Sequence, residues 1–220
     1  DYTLDLQFHF WSRAEEQNAC LKLLGAKVEG ILACPITPFT SETTPPDLLS
    51  TCPVPVVALS PKDTTRHYAA VIKKDYLLEG RLLGEHLLKL GHEKIDLLQA
   101  GTPKFISQPK MRGLLQVIEE SGTGRTAAHV EFPSGVTEAF HPKAPASLVE
   151  RDAIIDLMAK YYIAGGRRGT AVVVGNEAVA WKVMAEASRQ GLRIPEDLSI
   201  VCSGLLGQGD TGPIPLTSAE

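Results

Sequence analysis

Five residues of the sequence carry side chains of the kinds that hold a small polar ligand. They supply an amide, a phenyl ring, an ammonium group, a hydroxyl and an indole: Asn176, Phe132, Lys104, Ser60 and Trp11. Each follows a predicted strand or falls in the loop just after one. An aromatic face suits the apolar C–H side of a sugar ring, and the amide, hydroxyl and ammonium groups suit its hydroxyls. These residues therefore predict a site for a sugar or a sugar derivative.

Other features of the sequence argue against catalysis and metal binding. The chain has no phosphate loop ending in Gly-Lys-Ser/Thr and no G-x-S-x-G elbow. Its six histidines are scattered, and no pair shows the spacing of metal ligands. Paired carboxylates such as Glu119–Glu120 fall on helix surfaces that we expect to be solvated. We therefore expect a binding protein rather than an enzyme, with no cofactor and no metal.

Composition places further bounds on the function. The formal net charge is −4, and no basic stripe of the kind that grips DNA is present. No apolar run approaches the ~18 residues of a membrane span, and the opening "YTLDLQFHF" resembles a strand rather than a signal peptide. The four cysteines match no zinc pattern and are interpreted as buried free thiols in a reducing compartment. We expect a cytoplasmic protein without membrane contact.

The elements that position the candidate residues alternate between helix and strand. Leu83, Leu87 and Leu90 recur at steps of four and three, which indicates one face of a helix. Gly91 stands where a helix C-terminus favours positive φ, and the short apolar run "IDLLQA" follows. The same unit recurs along the chain. Continuous apolar strands that alternate with helices predict an α/β protein with a parallel sheet covered on both faces. In such sheets the ligand lies beyond the carboxyl ends of the strands.

Several stretches resemble the effector-binding core of the LacI/GalR family of bacterial transcription regulators. They are "DYLLEGRLLGEHLLKLGHEKIDLLQAG", "RGLLQVIEESG" and "TAVVVGNEAVAWKVMAEASRQGLRIPEDLSIV", with "VEGILACP" and "VPVVALS" before them. The resemblance implies a type I periplasmic-binding-protein-like fold of two Rossmann-like lobes. Residues 1–75 would form an apparently incomplete N-terminal lobe, to which residues 216–220 would return, and residues 76–215 the C-terminal lobe.

The resemblance also implies roles for individual residues. Asn176 matches an asparagine that binds ligand hydroxyls, and the alternative is that it caps the following helix, a role that is compatible with the first. Phe132 matches an aromatic residue that packs against the ligand, with a core position as the alternative. Trp11 could stack on a sugar ring or cover the edge of the sheet. Asp75 and the turn residue His92 are interpreted as structural.

Three positions depart from the family pattern. Ser60 and Gly204 stand where many members carry an acid, and Lys104 lies near a position where many carry arginine. Asp210 lies in the same loop as Gly204. Because Lys104 is positively charged and the acids expected at positions 60 and 204 are missing, the predicted site is more positive than in typical members. This favours an acidic or phosphorylated sugar.

The implied function is that of a ligand sensor. A small effector would bind between the two lobes, and lobe closure would be coupled to DNA binding through a separate helix-turn-helix segment that is not in this chain. We expect a homodimer, because such regulators read two half-sites. The alternative is a periplasmic sugar-binding protein of a transport system.

Overall fold

The structure, a computed structural model, describes residues 3–8, 13–35, 48–49, 51–59, 68–98, 104–122, 124–132, 148–203 and 216–219. For residues 104–106 and 148–151 the description covers the backbone alone. The chain divides into two compact units, Asp1–Lys74 and Asp75–Glu220. Each unit has its own parallel sheet, so the α/β class predicted from the sequence is confirmed.

The first unit contains one described helix and a small sheet. The elements are α1 (Arg13–Gly25), β1 (Ile31–Ala33), β2 (Val56–Leu59) and β3 (Ala70–Ile72). The strands pair in parallel in the order β1-β2-β3. Cys20 of α1 packs with Ile31 and Val56 in the core of this unit. The thiol of Cys20 is thus buried, as expected, whereas that of Cys34 is exposed.

The second unit carries the larger sheet. Its strands are β4 (Lys94–Leu98), β5 (Thr126–His129), β6 (Ala171–Val174), β7 (Ser199–Ser203) and β8 (Thr217–Ala219). Its helices are α2 (Tyr76–Lys89), α3 (Lys104–Glu120), α4 (Leu148–Tyr161), which continues as the π-helical turn Tyr162–Gly166, and α5 (Glu177–Arg189). The strands are parallel throughout and lie in the order β5-β4-β6-β7-β8.

The strand β6 lies at the centre of this unit, and all four of its residues are buried. Val172 and Val174 pack with residues of α4 and α5. Val173, which points to the other face, packs with residues of α2 and α3. Because successive side chains of a strand point to opposite faces, the two apolar clusters place helices on both sides of the sheet, as the continuous apolar run predicted.

The end of the chain differs from the expectation that residues 216–220 return to the first lobe. Thr217–Ala219 instead pair in parallel with Val201–Ser203 of β7, and so belong to the second sheet. Leu216 is buried in the core formed by α4, α5 and the sheet. The apolar contact of Leu216 and the backbone pairing together hold this segment in the second unit.

Helix α2 is capped at both ends, and its C-terminal end lies where the sequence predicted it. The carboxylate of Asp75 accepts hydrogen bonds from the backbone N–H groups of Leu77 and Leu78 and so caps the helix. At the other end Gly91 has a φ of +88°. The predicted apolar face is wrong in one residue. Leu83 and Leu87 are buried, but Leu90 is 60% exposed because it lies at the C-cap, past the buried face of the helix.

Helices α2 and α3 approach each other closely through two glycines. A Cβ added at Gly80 would collide with the backbone carbonyl of Lys110, and one at Gly113 would collide with that of Leu77. Neither position tolerates a side chain without moving the other helix. The contact brings the first turns of α2 beside the middle of α3.

A buried aspartate joins β4 to the turn before β6. The Oδ2 atom of Asp96 accepts hydrogen bonds from the Tyr162 hydroxyl at 2.9 Å and from the backbone N–H groups of Arg168 at 3.0 Å and Gly169 at 2.9 Å. Burial, followed by the negative charge of Asp96, raises the pKa of Tyr162 well above its usual value. The phenol therefore stays protonated and donates to the carboxylate.

Replacing Tyr162 by phenylalanine should lower the free energy of unfolding by about 1–2 kcal/mol, because Asp96 loses one of three donors while the ring still packs. Tyr161→Phe is the matched control, since the Tyr161 side chain lies at the surface, 37% exposed, and should change stability by less than ~0.5 kcal/mol. Urea unfolding measures both. Equal stability of Tyr162→Phe and the wild type would contradict the role given to the hydroxyl.

Stability should also depend on the protonation of His92. Its Nδ1 lies 2.9 Å from the Thr170 hydroxyl, and burial, followed by the charge of His86, lowers the pKa of the ring below its usual value. The unfolded chain therefore binds the proton more tightly, so the His92 contribution is present above the unfolded pKa of about 6.5 and is lost as the pH falls below it.

Thermal unfolding between pH 7.5 and pH 5.5 checks this dependence. The variant His92→Gln should lose less stability on acidification than the wild type does. A variant with the same loss as the wild type would show that other groups cause the pH dependence.

Candidate functional site

The carboxyl edge of the second sheet gathers the described residues that could meet a ligand. β6 and β7 are neighbours, with Val174 paired to Cys202. Asn176 follows β6 by two residues, and Ser203 ends β7, so both lie at this edge. Phe132 follows β5, on the far side of β4. The parallel register thus brings the ends of three strands to the same side of the unit.

Asn176 performs the capping role that the sequence left open. Its Oδ1 accepts a hydrogen bond of 3.1 Å from the backbone N–H of Val179, and its own backbone is extended, as at an N-cap. The amide oxygen is therefore already used as a hydrogen-bond acceptor within the protein. The Nδ2 group, which has two hydrogens to donate, is therefore the part of this side chain suited to an acceptor atom of a ligand.

Phe132 is partly buried and packs at the margin of the core formed with α4 and α5. Its ring centroid lies 5.4 Å from that of Tyr161, with the two planes at 48°. This separation is typical of a favourable aromatic pair. The Phe132 ring thus packs against the Tyr161 ring.

The remaining predicted site residues can be placed only in part. Lys104 is the first residue of α3, which follows β4 at the same edge, but its side chain lies outside the described atoms. Ser60 and Trp11 fall outside the described residues, as do Gly204 and Asp210. The structure therefore brings Asn176, Phe132 and the start of α3 to one edge of the sheet.

A buried ion pair lies at this same edge and was not expected from the sequence. The Nζ atom of Lys110 is 3.2 Å from Oε2 of Glu79, and the two side chains are only 2% and 3% exposed. The hydroxyl of Ser203 donates to Oε1 of Glu79 at 2.6 Å and accepts from the Lys110 ammonium. The ammonium also lies over the ring of Tyr76, 5.8 Å from its centroid. We refer to Glu79, Lys110 and Ser203 as the edge triad.

A signal for the edge triad is present in the sequence. Glu79 lies four residues before Leu83, on the same helical face as Leu83 and Leu87. Lys110 lies four residues before Leu114, which is 1% exposed. A charged residue on the extension of an apolar stripe is either at the surface or paired in the core. Because Glu79 and Lys110 have opposite charges and lie on neighbouring helices, this pattern would have indicated a buried ion pair between them.

The buried thiol of Cys202 also lies at this edge. Burial, followed by the charge of Glu177, raises the pKa of the Cys202 thiol to about 12. The thiol is therefore expected to be protonated near neutral pH, the form that is a poor nucleophile. Within the part of the chain that the structure describes, no group of three or more His, Cys, Asp and Glu side chains could hold a metal ion. None of the helices in this part is long and apolar enough to cross a membrane.

Comparison with known proteins places the chain in a family. Residues 85–220 match the model of the periplasmic binding protein-like domain. The HTH-type transcriptional repressor PurR of Klebsiella pneumoniae (strain 342) is 23% identical over 207 residues, which cover 91% of this chain and 54% of the repressor. The chain thus spans about half the length of the curated relatives it matches.

Solved structures agree with this placement at the level of the fold. A PurR family transcriptional regulator from Vibrio parahaemolyticus RIMD 2210633 is 20% identical, with a TM-score of 0.64 over 100% of this chain and 76% of that chain. A sugar-binding transcriptional regulator of the LacI family from Escherichia coli, complexed with phosphate, is 15% identical, with a TM-score of 0.58 over 93% of this chain and 67% of that chain. The chain belongs to the periplasmic binding protein-like domain family, and its resemblance to the effector-binding core of LacI/GalR-type regulators is confirmed.

Proposed function

We propose that the chain is the ligand-sensing part of a LacI/GalR-type transcription regulator and binds a small polar effector at the carboxyl edge of the second sheet. The observation that carries the proposal is the position of Asn176, whose amide oxygen caps α5 while its Nδ2 remains suited to donate to a ligand. In open parallel sheets the ligand lies beyond the carboxyl ends of the strands, which is where this amide stands.

A sugar or a sugar derivative is the proposed effector. A ring hydroxyl can accept a hydrogen bond from an amide N–H, and a partly buried phenyl ring such as that of Phe132 suits the apolar face of a sugar. Ser60, Lys104 and Trp11 complete the proposed site on the basis of the family resemblance. A LacI-family relative is described as sugar-binding, which supports this class of ligand. An ammonium at Lys104 favours an acidic or phosphorylated sugar over a neutral one.

The proposed partners follow from the same family. The curated relatives are HTH-type repressors, so we propose a cytoplasmic homodimer that reads DNA through a separate helix-turn-helix segment. An effector changes DNA binding only as far as its affinity differs between two conformations, and a coupling of about 1–3 kcal/mol is the usual scale. Because these relatives are transcriptional repressors, a regulator is favoured over a periplasmic transport protein.

Substitutions at Asn176 separate ligand binding from capping. Asn176→Ser and Asn176→Asp both keep an oxygen that caps α5, so the stability of the free protein should stay within about 0.5 kcal/mol of the wild type. Both remove the N–H donors. Affinity for the effector should fall about ten- to hundredfold, the cost of one lost hydrogen bond in a buried site.

The measurement is calorimetric titration with the sugar or sugar phosphate that gives the largest stabilisation in a thermal-shift screen. Asn176→Ala is the comparison variant, because it removes the cap as well and should lose both stability and affinity. Wild-type affinity in Asn176→Ser would show that the amide contributes only the cap, and the proposed site would then be wrong.

A further inference from the structure

We infer that Glu79 is a positioning residue, which, through Lys110 and Ser203, fixes the end of β7 at the edge where the ligand is proposed to bind. The inference rests on the proposed function for its purpose, but its geometry stands on the edge triad alone. Its members come from three different elements, α2, α3 and β7. They are far apart in the sequence and meet only in the folded unit.

The hydrogen bonds of the triad leave Ser203 with a single orientation. Its hydroxyl has one hydrogen, which goes to Oε1 of Glu79, and its oxygen accepts from the ammonium of Lys110. Lys110 in turn lies against Oε2 of Glu79 and over the ring of Tyr76. Each member orients the other two, so the last residue of β7 is held from two helices at once.

Stability alone does not account for a pair of charges in this place. Removing a carboxylate and an ammonium from water carries a large desolvation cost, and apolar replacements of similar size are often neutral or stabilising. The surrounding positions are apolar, since Leu83 and Leu114 follow the charged residues on the same helical faces. Leucine and methionine could fill the same volume, but neither could hold the hydroxyl of Ser203.

The location of the triad points to a positioning role. Ser203 is the last residue of β7, next to the ends of the strands where we propose the ligand site. Glu79 lies in the first turn of α2, four residues after Asp75, where the second compact unit begins. The triad therefore connects the end of β7, beside the proposed ligand site, to α2, the first helix of the second unit.

The test compares local and global stability in the ligand-free protein. The double variant Glu79→Leu/Lys110→Met removes both charges together and keeps an apolar core, and Ser203→Ala removes the bridging hydroxyl while it leaves the ion pair. Hydrogen exchange of the β7 amides, read against those of β4, reports the local effect, and thermal unfolding reports the global one.

A matched control is available on the same two helices. Arg81 and Glu120 also join α2 to α3 through two hydrogen bonds of 2.8 Å, but their side chains are 27% and 60% exposed. The double variant Arg81→Gln/Glu120→Gln removes an ion pair between the same helices without touching β7.

We expect both triad variants to unfold near the wild-type temperature and to exchange the amides of Val201–Ser203 about tenfold faster or more, with β4 unchanged. The Arg81/Glu120 control should leave β7 exchange unchanged. Wild-type exchange at β7 in both triad variants, or an equal rise in β4, would overturn the inference. If the double variant does not fold, Ser203→Ala decides alone. The hydrogen-exchange experiment uses no ligand. A negative result there would not affect the ligand-binding role proposed for Asn176, and unchanged ligand affinity in the Asn176 variants would not affect the role of the edge triad.

Discussion

The parallel pairing of β6 with its two neighbours is the constraint on which the rest of the second unit depends. β6 has four residues, Ala171–Val174, all of them buried, and it pairs in parallel with β4 on one side and β7 on the other. A strand that is apolar on both faces must be covered on both faces. The helices therefore pack on both sides of the sheet, and every parallel strand ends at the same edge.

Two clusters of buried polar groups lie in the part of this unit that the structure describes, one nearer each end of the strands. Towards the amino ends, Asp96 holds Tyr162 and the turn at Arg168 and Gly169. At the carboxyl ends the edge triad joins two helices to β7. Buried polar groups cost free energy unless they are hydrogen-bonded, and each of these is. The apolar middle supplies the burial that stabilises the unit, whereas the polar ends fix the conformation of its connections.

Features that depend on local sequence were predicted well. The helix spacing of Leu83 and Leu87, the positive φ of Gly91 and the buried apolar run of β6 follow from neighbours along the chain. Asn176 was assigned two alternative roles, and the structure establishes the cap. The ligand-binding role stays a prediction, as do those of Ser60, Lys104 and Trp11.

Features that depend on distant contacts were missed. The pairing of Glu79 with Lys110 needs the close approach of α2 and α3 at Gly80 and Gly113, which no single stretch of sequence reveals. The segment Thr217–Ala219, which pairs with β7, was likewise assigned to the wrong lobe. A strand of three residues has little periodicity from which its position could be predicted. Tertiary packing decides such elements, and propensity does not.

We propose that ligand binds at the carboxyl edge of the second sheet. The most direct measurement is a map of backbone amide chemical shifts, recorded by nuclear magnetic resonance as the effector found by thermal-shift screening is added. We expect the largest changes at residues 130–132, 175–177 and 203, which follow or end β5, β6 and β7. Changes centred instead on residues 91–93 and 168–170, just before the amino ends of β4 and β6, would contradict it.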